Sequence, residues 1–490
     1  MHVLLLGISD SVRVAIREGL SAEDLIDNWH FDSIHEERCN LTPMGHIHLH
    51  AWEHRYQTDL DDLSSLYNGD TWLRAMELTC DRVFLAPISN NDRLLYLAKL
   101  KSLISNELHD HKVDVAIFGS TPHFPWDLCA LQVLTERGCR TFSLRPTQVD
   151  GRILVQRHRP ENRTLEFVTR EEIGTSYSDR NPLGEPPLGK SGAELSKRLR
   201  NATNLVDQSS YRALAKSFGV RIVKRGRPTS WLRRATGTEQ GRSGVDYFSV
   251  LPKISRRGLA LFQIWQVKRH IATLRPFPLF SDFQRYVAFF LHYQPERTTD
   301  PEASEARFQV SAIISLRKKM DASGLEDVLI VVKEHPRQWL SFSGDIRRLL
   351  ARNTEFYRTI RSLERVEVVA PDVLPDDLVR GALLVASPNG SSVWEALCVG
   401  KPGITFAETW HSSCAASPPW CDIESGRARI DDLVRMESEE IVEHVRAFWR
   451  EEEVTHTGVM DPGHVEEDEL SRMQRATGLL LSRVAQNAFD

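Results

Sequence analysis

The sequence predicts an α/β protein made of two domains, and three observations carry that expectation. Apolar, β-branched runs of strand length recur along the chain, and helical stretches lie between them, a pattern that implies parallel sheets with right-handed connections. The runs read as buried strands, apolar along their whole length, as strands covered on both faces are. The chain has 490 residues, too many for one core and suited to two domains with connecting material.

In order, HVLLLGI at the N-terminus reads as a first strand. It is short, stops at Ser9-Asp10 and has no basic leader or cleavage site, unlike a signal peptide. SVRVAIREGL follows as a helix. Residues 20–110 are less regular and are assigned only loosely. VDVAIFG is a second strong strand ending at Ser120-Thr121-Pro122-His123, and WDLCALQVLTERG a helix with Gly138 just past its end. RTFSL, ending at Arg145-Pro146, and RILVQRH, after Asp150-Gly151, complete a first domain over 1–165 in which all strands are expected to be parallel. The second α/β domain spans 283–430, with strands YVAFFL, VLIVV, VEVV, ALLVA and GITFA and helical stretches such as SAIISLRKKM and DIRRLLARNTEFYRTIRSL. The remainder, 431–490, is acidic and helical, and is expected to pack back across the first domain.

Between the domains, 166–282 is irregular until the helix-like LALFQIWQVKRHIATL. Within 211–275, fifteen Lys and Arg face only Glu239 and Asp246, with Trp231, Phe262, Ile264 and Trp265 interleaved. Two readings stand: a peripheral contact with an anionic membrane surface or acceptor, or a solvated linker carrying basic helices.

Composition excludes several classes. A net charge of −5 argues against nucleic acid as the main partner. No run reaches the roughly 18–20 apolar residues of a membrane span. Seven scattered cysteines with no C-x-x-C pair fit a reduced cytoplasmic protein and neither a disulfide framework nor a zinc site. No phosphate-binding P-loop, H-E-x-x-H, G-x-S-x-G or clean G-x-G-x-x-G occurs, which removes those enzyme classes. No metal site and no cofactor are expected.

The chemistry-bearing segments are LHYQPE, VVKEHP and SPNGSSVWEALCVGKP, each at or just beyond the end of a predicted strand. Ligands of open parallel sheets bind beyond the carboxyl ends of the strands. In VVKEHP, Lys333 and Glu334 precede His335, whose imidazole suits a phosphate or a leaving group, and Pro336 stops the strand. In SPNGSSVWEAL, Asn389-Gly390 permits a tight turn. Ser391 or Ser392 would cap the following helix, and with Ser392 as cap Glu395 completes a capping box. The same residues with their backbone N–H groups would also cradle a phosphate, Glu395 then reaching a ribose or sugar hydroxyl. His292, Gln294 and Glu296 would line the mouth of a cleft or form a hinge. In the first domain Asp10, Ser120, His123, Arg145 and Asp150 are polar residues at strand ends, and His411 follows the strand GITFA.

In their order along the chain, LHYQPE, VVKEHP and SPNGSSVWEALCVGKPGITFAETWH resemble the capsule and lipopolysaccharide biosynthesis glycosyltransferases related to the retaining β-Kdo transferases. The resemblance covers about 283–410. It implies two Rossmann-like domains facing a cleft, the GT-B arrangement, with a nucleotide-sugar donor on the second domain and a glycan or lipid-linked glycan acceptor on the first. The His-Pro pair and the Ser-Ser element also look like those of bacterial sialyltransferases, which implies a CMP-linked donor whose phosphate meets His335, Ser391 and Ser392. On this reading His335, Glu296 and Asp10 carry catalysis. Lys333, Glu334, His292, Gln294, Asn389, Gly390, Ser391, Ser392, Glu395, His411, Ser120 and His123 bind substrate. The relatives show an aromatic-Asp-Gln run where this chain has Arg307-Phe308-Gln309, so an acidic residue is missing. A nucleotide-sugar 2-epimerase, a polyol-phosphate transferase and a non-catalytic scaffold are the alternatives on the same fold.

Overall fold

The computed structural model describes residues 1–21, 25–29, 90–149, 151–158, 166–173, 186–189, 285–294, 306, 308–335, 338, 352–369, 373–451, 454–457 and 467–488. Glu296, Pro336, Asp150 and the basic 211–275 segment lie outside them. The described residues form two compact units, 1–173 with 454–488, and 186–189 with 285–451.

The first unit is built on β1 (His2–Leu6), β2 (Leu25–Trp29), β3 (Val115–Phe118) and β4 (Arg140–Pro146), which lie parallel in the order β2-β1-β3-β4. The strands β1 and β3 are buried along nearly their whole length, as their unbroken apolar sequence requires. The sheet carries α1 (Asp10–Gly19), α2 (Asn90–Glu107) and α3 (Pro125–Glu136). Gly138 follows α3 at φ 78°, closing the helix as expected.

The expectation of an all-parallel sheet fails at β5 (Arg152–His158), which runs antiparallel to β4, and so do β6 (Glu166–Phe167) and β12 (Thr455–Thr457) beside β5. The reason is length: a parallel crossover needs about a dozen residues or more, and only a short turn separates β4 from β5. Thr147 fixes that turn, its hydroxyl bonding the Val149 and Arg152 carbonyls at 3.0 Å each, and Gly151 supplies the positive φ of 73°.

The C-terminal helix α11 (Glu467–Asn487) belongs to this unit and packs on α1. Leu480, Leu481 and Val484 join Val3, Leu5, Ile16 and Ile117 in one core. The helices approach closely because small residues meet: a Cβ on Gly478 would stand 2.3 Å from that of Ala15. The 431–490 stretch is thus divided between the units, its first part remaining with the second.

The second unit holds a sheet of five strands, all parallel: β11 (Gly403–Thr405), β10 (Leu384–Ser387), β7 (Tyr286–Phe290), β8 (Leu329–Lys333) and β9 (Val366–Val368), in that spatial order. Its helices are α4 (Gln309–Ala322), α5 (Thr354–Ser362), α6 (Pro375–Gly381), α7 (Ser391–Cys398), α8 (Trp420–Ser425), α9 (Ile430–Arg435) and α10 (Ser438–Glu451). Asn353 sets the start of α5, its side chain accepting the Phe356 N–H at 2.8 Å. Phe289 is level with Val332 on one side and Ala386 on the other, so β10, β7 and β8 end together. The molecule is an α/β protein.

Candidate functional site

Three loops leave the level ends of β10, β7 and β8 side by side. On β10, Ser387 is fully buried and donates its hydroxyl to the Phe290 carbonyl of β7 at 3.2 Å. Pro388-Asn389-Gly390 then turn the chain into α7. The capping expectation is corrected here: Gly390 is the N-cap, with φ −117° and ψ 155°, and no side chain caps the helix. Ser391 and Ser392 are its first two residues, one and two steps too far along to cap it. Both serines are half-buried and stand at the first turn, whose N-cap, a glycine, has no side chain to cap it. Such a terminus offers N–H donors and partial positive charge to an anion.

Glu395 lies in the next turn of α7, where its carboxyl bonds the Ser391 side chain rather than a helix cap. Burial pushes its pKa up to about 7, the Ser391 bond pulls the other way, and Asp376 on α6 adds to the rise.

His292 comes from β7 and closes over the same turn. A Cβ built on Gly390 would lie 2.6 Å from His292 Nε2, 2.5 Å from Ser387 Oγ and 3.2 Å from Ser392 Oγ. Only glycine at this position lets the imidazole reach the start of α7. The backbone of His292 is held on both sides by Gln309 of α4, whose amide accepts the His292 N–H at 2.8 Å and donates to its carbonyl at 3.1 Å. Gln338 brackets Gln294 in the same way, at 2.9 and 3.2 Å.

His335 leaves β8 half-buried, its ring centroid 6.1 Å from that of Tyr293. The residues before it serve the interior. Lys333 is 1% exposed and its ammonium approaches the Glu334 carbonyl at 3.4 Å. Glu334 is 2% exposed, and its carboxylate takes the His335 N–H at 2.7 Å, the Tyr357 hydroxyl at 2.7 Å and the Arg352 guanidinium at 2.8 Å. With three donors engaged, Glu334 is tied into the loop and its supports. Arg352, Tyr357, Gln309 and Gln338 carry no local motif; Gln309 alone stood near one, in the run that departs from the related sequences.

His411 is not brought to this edge. It is fully buried against Trp394 and Trp410, with Nδ1 3.3 Å from Ser417 Oγ, and burial lowers its pKa to about 3. A neutral ring so enclosed packs the back of α7, where Trp394 also stacks on Trp449 of α10.

In the first unit Asp10, Ser120 and His123 share the corresponding sheet edge. A Cβ on Gly119 would stand 2.3 Å from the Gly7 carbonyl oxygen, so the ends of β1 and β3 touch there. Asp10 opens α1, well exposed and paired with Arg13 at 3.0 Å. His123 Nδ1 lies 2.7 Å from the Thr121 carbonyl, so Nδ1 carries the proton. Asp127 accepts the His123 and Phe124 N–H groups at 3.3 Å. Arg145 is buried at the end of β4.

Of the cysteines described, Cys129, Cys139, Cys398 and Cys414 are buried and free, and Cys421 is exposed. Among the described residues no three His, Cys, Asp or Glu gather as a metal-binding group, and no helix is long and apolar enough to cross a membrane.

No family model matches the chain, and no curated protein matches it. Solved structures do. UDP-GlcNAc 2-epimerase from Neisseria meningitidis, bound to UDP-GlcNAc, is 12% identical over 91% of this chain and 98% of its own, with a TM-score of 0.22. The β-Kdo 2,7 transferase KpsC of Thermosulfurimonas dismutans is 12% identical over 76% and 88%, with a TM-score of 0.30. An E. coli trehalose-6-phosphate structure bound with UDP-2-fluoro glucose is 12% identical over 93% and 96%, with a TM-score of 0.29. Similarity at this level carries no argument about the site, and the fold class stands on this chain's own parallel sheets.

Proposed function

We propose that the protein is a glycosyltransferase that takes a sugar from a nucleotide-activated donor and passes it to a glycan or lipid-linked glycan acceptor. The observation that carries this reading is the meeting of His292 with the uncapped start of α7 at Gly390, beside the Ser391 and Ser392 hydroxyls. Imidazole, hydroxyl and backbone donors converging on one point suit the phosphate of a nucleotide. His335 leaves the adjacent β8 and completes a row of donors along the same edge.

In transfer, an acceptor hydroxyl oxygen bonds to the anomeric carbon and gives its proton to a carboxylate, the bond between that carbon and the phosphate oxygen breaks, and its electron pair stays on the phosphate. Donors fixed before the reaction stabilise that developing charge without reorganising, which is the main electrostatic contribution an enzyme makes. The α7 N–H groups, Ser391, Ser392, His292 and His335 have that role in this reading. Glu395 is placed near the ribose or sugar hydroxyls. Asp10, Ser120 and His123 serve the acceptor on the first unit, and Asp10 and Glu296 complete the proposed catalytic set. The choice of a CMP-linked donor and a capsule or lipopolysaccharide acceptor rests on the sequence resemblance over 283–410. The cytoplasmic location rests on the scattered cysteines, and the contact of the basic 211–275 segment with an anionic membrane surface rests on its charge excess.

The test is incubation of the full chain with CMP-, UDP- and GDP-sugars and simple glycoside acceptors, following released nucleotide by chromatography and the sugar by proton NMR. Nucleotide release together with a new glycosidic signal supports transfer. A 2-epimer formed without acceptor moves the assignment to epimerase, and nucleotide binding without turnover moves it to a binding scaffold.

A further inference from the structure

Past the backbone bond from the Leu291 N–H to the Lys333 carbonyl at 2.8 Å, side chains link the β7 and β8 loops. The central one is Arg352, which is 1% exposed. Its Nη2 donates to the His292 carbonyl at 2.7 Å, its Nη1 to Gln294 Oε1 at 2.5 Å, and its Nε to Glu334 Oε2 at 2.8 Å. The other carboxylate oxygen of Glu334 receives the His335 N–H at 2.7 Å. The Phe356 ring covers the guanidinium, 4.3 Å from its carbon.

Each imidazole-bearing residue is therefore tied through its backbone to the same buried ion pair, His292 by its carbonyl and His335 by its amide. These bonds run through the backbone and fix where the two residues stand. The job needs a guanidinium, because a planar fork with donors on three nitrogens spans three separate acceptors and a lysine ammonium does not.

We propose that Arg352 is a positioning residue of the nucleotide site: with Glu334 it sets the spacing of His292 and His335, and so how tightly the site holds a nucleotide phosphate. This inference rests on the reading that the edge of the second unit's sheet binds a nucleotide.

Removing Arg352 alone strands a buried carboxylate and destabilises the chain for reasons unrelated to the site. The informative variant is R352M/E334Q, which removes both charges and keeps similar volumes; R352K is its companion. In the full-length protein, imidazole NMR signals of His292 and His335, assigned with H292N and H335N, report the spacing without any ligand. Titration with CMP, CDP, UDP, GDP and ADP, and with inorganic pyrophosphate, reports binding. The expected result is a folded double variant in which both imidazole signals shift and affinity falls about tenfold or more, as displaced binding groups require. A double variant with unmoved signals, or with wild-type affinity, overturns the proposal. If the wild type binds none of the probes, the nucleotide reading falls by itself. Moved signals then leave Arg352 as the spacer of the two histidines, and unmoved signals remove that role too.

Discussion

Replacing Gly390 by alanine probes the site at its tightest point. The backbone there has φ −117° and ψ 155°, which any residue adopts, so the substitution carries no conformational strain. The whole effect comes from the new methyl, which would stand 2.5 Å from Ser387 Oγ and 2.6 Å from His292 Nε2. Ordinary contact lies at ~3.5 Å, so both partners must draw away from the methyl by about 1 Å. The half-buried His292 ring can swing away, while the fully buried Ser387 gives way only by straining its bond to the β7 backbone. Overpacking of this kind costs about 1–3 kcal/mol, partly offset by about 0.4–1 kcal/mol from the stiffer unfolded chain. The melting temperature should fall by only a few degrees, at about 2–4 °C per kcal/mol for a chain of this size. Nucleotide affinity should fall more: a hydrogen bond to a charged group is worth about 1.5–3 kcal/mol, tenfold or greater in the dissociation constant. Thermal unfolding and nucleotide titration on the same preparation measure both. A variant that binds nucleotide as well as the parent refutes the placement of His292 over α7 as a phosphate contact.

Two further predictions concern pH. His411 is buried neutral with a pKa of about 3 in place of 6.5, so the unfolded chain takes up a proton between those values and the folded chain does not. Its contribution to stability is intact above pH 6.5 and is lost at about 1.4 kcal/mol per pH unit as pH falls through that window. H411F should remove that slope between pH 7 and 5 in urea unfolding; an unchanged slope contradicts the burial. Glu395 has the opposite sign. Its carboxyl is raised to about 7 from 4.5, so the folded state holds the proton longer and stability declines as pH rises from about 4.5 to 7. E395Q should match the parent at pH 4.5 and exceed it in stability at pH 8, and equal stability at pH 8 would contradict the raised carboxyl.

Much of the fold was legible because its strands are apolar on both faces. VAIF, YVAFF, LIVVK and LVAS are buried along their whole length, and such runs stand out without any partner in view. The β4–β5 pairing departs from the all-parallel expectation because the direction of a strand is set by its connection, and the short Asp150-Gly151 link is the feature of the sequence that carries this. The start of α7 was placed one or two residues late for a similar reason. Serines suggest a cap, but the extended residue before them is Gly390, chosen by the His292 ring that a side chain would strike. The supports of the site were not legible at all. Gln309, Gln338 and Arg352 act on loops 17, 44 and 60 residues away in sequence, through amides and a guanidinium that leave no local pattern. Glu334 and His411 show the converse: both lie in motif-rich segments, and burial assigns them to the interior.

The central claim is that the edge formed by β10, β7 and β8 binds the phosphate of a nucleotide. Calorimetric titration of the full chain with CMP, CDP, UDP, GDP and ADP tests it most directly, beside His335→Ala and the Ser391→Ala/Ser392→Ala pair. The account predicts that at least one nucleotide binds and that both variants weaken it about tenfold or more while remaining folded. Binding unaffected by either variant, or no binding by any nucleotide, would contradict it.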